Sequence, residues 1–447
     1  MQALELHTSA QRNRVVDLVR VLALVAVVLG HWLKQGWYVD TEVTLHRAGL
    51  LGIAPWTHPL TWIFQVIPLF FVVGGYANVV SWRHARAVGS RYGTWLASRT
   101  TRLTRPVLPL LVFWAVLAPL APHIGLGGEW LRIGSLTSLV PLWFLATYLV
   151  VVAVAPMSVG AWDRWGPRTL AVGLLAFPVD ALSLHFDSTA IGALNLLIVW
   201  GTLHQFGYAW RDGTFRRPAH ALLLVLLGFG AAVALVWFGP YGVSMVGVSG
   251  HGVNNTNPPR ATILMLGCAL TGMVLLAEPA LRRFAGRPRV WRTIVVVEAR
   301  MMTIYLWHLT ALVMLGAVSL WFGGVGLHAR PDTLEWWTAR PVWIVLLGAT
   351  TGAVVAVVGR FEDPHPARTR AARGAVLPLL RVGLTVVLLA LLADDGLGHS
   401  ARVPEPWLLV IAAVVVLARP HPRQARAREA GRPRGSLPTD DRIAAQK

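Results

Sequence analysis

Asp17, Arg20 and His31 fall inside one apolar run, RVVDLVRVLALVAVVLGHW, which has the composition of a membrane-spanning helix. Ionisable groups at that depth are costly and usually line an interior cavity or a reaction path. Asp17 and Arg20 are three residues apart, so they share a helix face and can pair. Arg20 and His31 also share a face, but eleven residues separate them, which puts them roughly 16 Å apart along the axis. They cannot form a direct dyad. An imidazole titrates near neutrality, so His31 is a candidate general base, and Arg20 is a candidate for orienting a substrate or stabilising negative charge.

Other constellations follow along the chain. The stretch PLFFVVGGYANVVSWRHAR places Gly74-Gly75 where a helix or a ligand can approach the backbone, with Tyr76 next to it. Arg83 and Arg86, then Arg99, Arg102 and Arg105, form a comb spaced by threes that suits a polyphosphate, because Arg binds phosphate bidentately. The loop HGVNNTNPPR offers His251, Thr256 and Asn257 to a polyol, or is a plain Asn/Pro turn. Tyr305 and His308 in TIYLWHL share a face and are candidates for lining the cavity that His31 faces. Trp143 and Tyr148, in and after PLWFL, are further cavity-lining candidates, alongside Asp17, Gly75 and Tyr76.

These residues need a scaffold, and the composition supplies its class. Of the 447 residues, 55% are hydrophobic. Apolar runs of about twenty residues recur along the whole chain, which reads as an all-α, polytopic transmembrane bundle and not as the short alternating segments of a β-barrel. About twelve spans are expected, near 15–34, 60–81, 106–122, 138–158, 168–184, 191–210, 219–239, 261–278, 302–322, 341–359, 374–393 and 405–418. The expected organisation is a cytoplasmic segment 1–13, a ten-helix core 14–360, two additional helices in 361–418 and a basic disordered cytoplasmic tail 419–447. No cleavable signal peptide is apparent, so the first run is expected to remain as a helix. The many Trp residues near span ends, among them Trp32, Trp37, Trp82, Trp210, Trp237 and Trp307, fit an interfacial belt, with core or belt packing the default for each.

The net charge is +19. Alternating the spans from a cytoplasmic N-terminus puts roughly thirty basic residues inside and about seven outside, so topology accounts for the charge without nucleic acid as a partner. Both termini are then cytoplasmic. The single cysteine, Cys268, excludes an intramolecular disulfide, and no Cys/His cluster has metal-ligand spacing.

Four motifs in order resemble the membrane acyltransferase-3 family: D-x-x-R with a histidine eleven after the Arg, PLFF-x-x-G-G-Y, PLWFL and YLWH. The resemblance covers roughly residues 12–360. It implies transfer of an acyl group, often acetyl, from acyl-CoA as co-substrate to a hydroxyl of a sugar, lipid-linked glycan or natural product outside the cytoplasm. It further implies a multi-pass protein of a bacterial cytoplasmic (inner) membrane, in contact with membrane lipids and with no bound cofactor. The family's Arg-x10-His motif matches Arg20 and His31. Its R-x-x-R motif matches Arg83 and Arg86 best, and Arg99–Arg102 has the same spacing. The family usually has Ser-Gly where this chain has Gly74-Gly75, so no serine role carries over. The expected path runs from donor phosphates on the Arg83–Arg105 comb, past Arg20, to His31. A transporter or flippase using the intramembrane Arg and His is the competing class. The motif order and the absence of an internal repeat stand against it.

Overall fold

A computed structural model describes residues 13–42, 44–125, 128–248, 253–362 and 374–397, with positions 410, 412–414 and 416–417 beyond them. The N-terminal segment before residue 13, His251, most of the expected span 405–418 and the tail from 419 lie outside the described residues.

Lipid offers the backbone no hydrogen-bond partners, so an apolar run satisfies itself as a helix. Among the described residues, ten helical segments are long and apolar enough to cross a bilayer. The first, α1 (Arg14–Lys34), starts at Asn13, whose side chain accepts a hydrogen bond from the Val15 amide. It runs into an antiparallel hairpin of β1 (Gln35–Val39) and β2 (Leu45–Gly49), with Gln35 opposite Gly49. Short helical turns through 50–64 lead to α2 (Ile67–Ala87). There follow α3 (Tyr92–Thr104), α4 (Val107–Leu120), α5 (Glu129–Leu139) and α6 (Leu142–Trp165).

At Gly166, whose φ of 60° suits glycine, the chain reverses. It returns as a 3-10 segment, Gly166–Leu175, and then α7 (Ala176–His185). The reversal is legible against α8 (Asn195–Asp212). Trp162 at the end of α6 bonds Asp212, whereas Gly173 lies against Thr202 and Asp180 bonds Asn195. The expected spans 138–158 and 168–184 therefore both lie in the continuous segment Glu129–His185. The second is half 3-10 helix; at about 2.0 Å per residue there and about 1.5 Å in α7, it reaches roughly 35 Å, enough to cross. The remaining helices are α9 (Pro218–Phe238), α10 (Ala261–Ala285), α11 (Pro288–Ala299), α12 (Met301–Trp321), α13 (Leu334–Val358) and α14 (Val376–Asp395).

Helix α1 is central and touches α2, α10, α11 and α12. Helices α9 and α13 sit at the periphery, and side chains such as Leu226, Leu227 and Val345 stay exposed where lipid would cover them. The Gly75 expectation is corrected here. A Cβ on Gly75 would run into the carbonyl of His204, and one on Gly207 into the carbonyl of Val72. The space beside Gly75 is filled by the backbone of α8, a small-residue helix crossing of the kind membranes favour. Gly74 likewise makes room for the Tyr148 ring. The Trp residues divide between core and exposed positions. Trp237 is exposed, but Trp32, Trp37, Trp82, Trp210 and Trp307 are buried between helices.

A carboxylate inside a span needs partners. Asp180 is fully buried and accepts from Asn195 Nδ2 at 2.9 Å, Tyr241 Oη at 3.0 Å, the Ala261 amide at 2.8 Å and Arg260 at 3.2 Å. This cluster ties the 241–260 loop to α7, α8 and α10.

Candidate active site

Helices α1 and α12 pack side by side, and that contact joins His31 to His308. The rings lie nearly parallel, 4° apart, with His31 Nδ1 2.8 Å from His308 Nε2. His308 Nδ1 is 2.7 Å from the carbonyl oxygen of Tyr305. A carbonyl only accepts, so His308 Nδ1 carries a hydrogen. For the ring-to-ring bond to form, His308 Nε2 must then be the acceptor and His31 Nδ1 the donor. Neutral His31 therefore keeps its lone pair on Nε2. When Nε2 takes up a proton, the bond to His308 stays as it is. This is the logic of a base held by an orienting partner, with a backbone carbonyl behind it. Trp32 Nε1 donates to the His308 carbonyl at 3.1 Å and locks the two helices in register.

His31 faces a cavity of about 700 Å³, a volume in the range of small-molecule sites. His308 is fully buried behind it. The walls are the C-terminal ends of α1 and α14, the N-terminal ends of α2, α6 and α8, and the 246–257 loop. Under the charge-derived topology these ends share the outer face. One side is polar, with His31, Lys34, Thr61, Gln65, Asn254 and Asn257; the side formed by α6, α8 and α14 is mostly apolar, with Thr147 and Asp394 as its polar members. Gln65 is fixed by donating to the Met245 carbonyl at 2.6 Å, and Lys34 Nζ reaches the Gly247 carbonyl at 3.4 Å. Trp143, Asn257 and Tyr305 also line this cavity, and the Tyr305 hydroxyl donates to the Pro141 carbonyl at 2.9 Å.

Asp17, Tyr76 and Tyr148 do not line it and belong to a second polar tier, deeper toward the other face. Arg20 donates to Glu298 at 2.6 Å and to Asp17 at 3.4 Å. The Tyr76 hydroxyl accepts from Asn13 at 3.4 Å. Asn78 links the Tyr148 hydroxyl, at 3.4 Å, to His204 Nε2, at 3.0 Å, and His204 Nδ1 meets the Tyr208 hydroxyl at 2.9 Å. Arg99 reaches inward to the Ala77 carbonyl at 3.1 Å, and its buried Nε has no hydrogen-bond partner among the described residues. Arg20, Arg99 and Arg102 all lie near enough to Tyr148 to act electrostatically on its hydroxyl.

The arginine comb divides. Arg83 is held by Asp212, at 2.7 and 2.9 Å, and by Asp163 at 2.8 Å, so its guanidinium is already committed to carboxylates. Arg86 lies 3.8 Å from Asp163. Arg102 and Arg105 make no ion pair among the described residues. Sequence reasoning missed Glu298, Asp163, Asp212 and His204. His204 sits within an expected span, so the depth argument applied to His31 would have found it. The carboxylates lie far from their partners in the chain and carry no local signal.

A polytopic bundle with an oriented histidine facing a cavity defines a membrane protein built for chemistry on a bound substrate. The family model described as an acyltransferase domain matches residues 13–360. The chain belongs to the acyltransferase-3 family and is an acyltransferase. Neither the comparison with curated proteins nor that with solved structures gives a match.

Proposed function

We propose that this chain is an O-acyltransferase that moves an acyl group, acetyl in the simplest case, from acyl-CoA to a hydroxyl of a carbohydrate or related acceptor at the outer face. The observation that carries this reading is the bond chain from His31 through His308 to the Tyr305 carbonyl, which leaves His31 Nε2 as a base facing an accessible cavity. The acceptor hydroxyl oxygen attacks the thioester carbonyl carbon while Nε2 takes its proton. The C–S bond then breaks, an ester C–O bond remains, and the CoA thiolate recovers the proton from His31. The neutral side-chain amides of Gln65, Asn254 and Asn257 suit a polyol.

The donor approaches through the deeper tier. Its phosphates lie on Arg99, Arg102 and Arg105, with Arg86 at the edge, and its pantetheine arm passes Arg20 to bridge the gap of roughly 16 Å to His31. Arg20, braced by Asp17 and Glu298, orients that arm. Arg83 is left out of this reading because its carboxylate partners occupy it.

Membrane vesicles given radiolabelled acetyl-CoA test it. Label should enter glycan or lipid. His31→Ala, at wild-type abundance and thermal stability, should lower transfer by about 10²–10⁴-fold, the usual worth of a positioned base. Full transfer by a folded His31→Ala protein removes His31 from the chemistry. Movement of unmodified substrate without labelling would indicate a transporter instead.

A further inference from the structure

The family match ends at residue 360, yet the wall of the cavity does not. Helix α14 lies beyond the match and packs along α6, with contacts to α3 and α5. Its outer end is pinned: the Leu397 amide donates to Ser135 Oγ at 2.9 Å, and Gly396, at φ 60°, lies against the backbone of Leu136. So fixed, α14 presents Val386, Ala390 and Leu391 to the cavity, opposite Val150 of α6 and Leu197 of α8. These five side chains offer no hydrogen bond; Thr147 of α6 and Asp394, near the end of α14, are the polar members of this side, and the other polar groups lie on the α1 side of the same space.

We propose that α14, a helix added to the family domain, forms one wall of a slot for the hydrocarbon chain of a reactant and sets the chain length it accepts. The amphiphilic division of the cavity argues for this. A reactant whose reacting end lies at His31 among amides and hydroxyls has its remaining length directed between α6, α8 and α14, where Val150, Leu197, Val386, Ala390 and Leu391 receive it on the inner side of Asp394. Burial of a methylene there is favourable by about 0.8 kcal/mol. Such a chain has two sources, the acyl group of the donor or the tail of a lipid-borne acceptor. The slot's place in catalysis rests on the acyl-transfer reading above.

Ala390 is the position to probe, because its methyl is exposed to the cavity and a larger side chain has free space to enter. Ala390→Phe shortens the slot and Leu391→Ala lengthens it. The first measurement needs no turnover: binding of a dodecyl-chain fluorophore to the purified full chain in lipid nanodiscs. Ala390→Phe should weaken it by about tenfold, equivalent to losing roughly two buried methylenes, and Leu391→Ala should not reproduce that loss. The second is the transfer profile over acetyl-, octanoyl- and dodecanoyl-CoA, and over alkyl glycosides of increasing tail length. Opposite shifts in the donor series assign the slot to the acyl chain; opposite shifts in the acceptor series assign it to the acceptor tail. Unchanged probe binding and unchanged profiles in both variants overturn the slot while acyl transfer stands. Probe binding that responds to Ala390→Phe, with no transfer by the wild-type chain from any donor, keeps the slot and overturns the acyl-transfer reading.

Discussion

At the residue scale the informative partner is His308. It is not among the residues lining the cavity that His31 faces, and on the acyl-transfer reading it serves as a positioning residue for His31. His308→Ala removes the acceptor for His31 Nδ1–H and frees the ring to turn or change tautomer. The expected result is a fall in kcat of about 10–100-fold, smaller than for His31→Ala, with little change in the KM for acyl-CoA and a displaced pH–rate profile. His308→Gln keeps an acceptor oxygen near the same place and should restore part of the loss, which a purely structural defect would not allow. The arginines separate in the same assay. Arg102→Ala should raise the KM for acyl-CoA, whereas Arg83→Ala should leave it near wild type and cost at most about 1 kcal/mol of stability, as expected for a partly exposed ion pair. An equal rise in KM for both would return Arg83 to the donor site. The spacing of Arg20 and His31 already ruled out a dyad between them. It did not reveal that His31 has a different partner, since that residue lies 277 positions away.

At the element scale, hydropathy made most helices legible, because a span must bury or satisfy its whole backbone within one run. It was less informative where two elements share one space. Gly74-Gly75 reads in the sequence as an opening for a helix or a ligand, and only the neighbouring Gly207 on α8 decides for the helix. The segment with Pro178 and Asp180 is a poor span by composition. It holds because its first half is a 3-10 helix and because Asp180 finds four donors that its own sequence window does not contain. That cluster carries a prediction. Asp180→Ala leaves the buried Arg260 guanidinium without its carboxylate, and removing one member of a buried pair costs about 3–5 kcal/mol. The 241–260 loop, which carries Asn254 and Asn257 to the cavity, should loosen. The expected readouts are a lower melting temperature and faster proteolysis within that loop. Wild-type values for Asp180→Ala would show that the pair contributes nothing there.

At the scale of the whole molecule, the charge bias assigns to the outer face the cavity-lining ends of α1, α2, α6, α8 and α14, whereas Tyr305 lines the cavity from the end of α12 that the bias assigns to the inner face. Cysteine labelling checks this, since Cys268 is buried and silent. Glu42→Cys in the β1–β2 turn should react with a membrane-impermeant maleimide on intact cells, and Arg216→Cys after α8 only once the membrane is opened; the reverse pattern would invert the topology. Joining α1 to α12 also has a consequence for biogenesis. His31 leaves the ribosome 277 residues ahead of the ring that orients it, a delay on the order of tens of seconds at ordinary synthesis rates. Until α12 has been inserted, the nascent chain carries His31 without an aimed lone pair. On the acyl-transfer reading, a chain arrested in translation therefore exposes no competent centre to the cell's acyl thioesters.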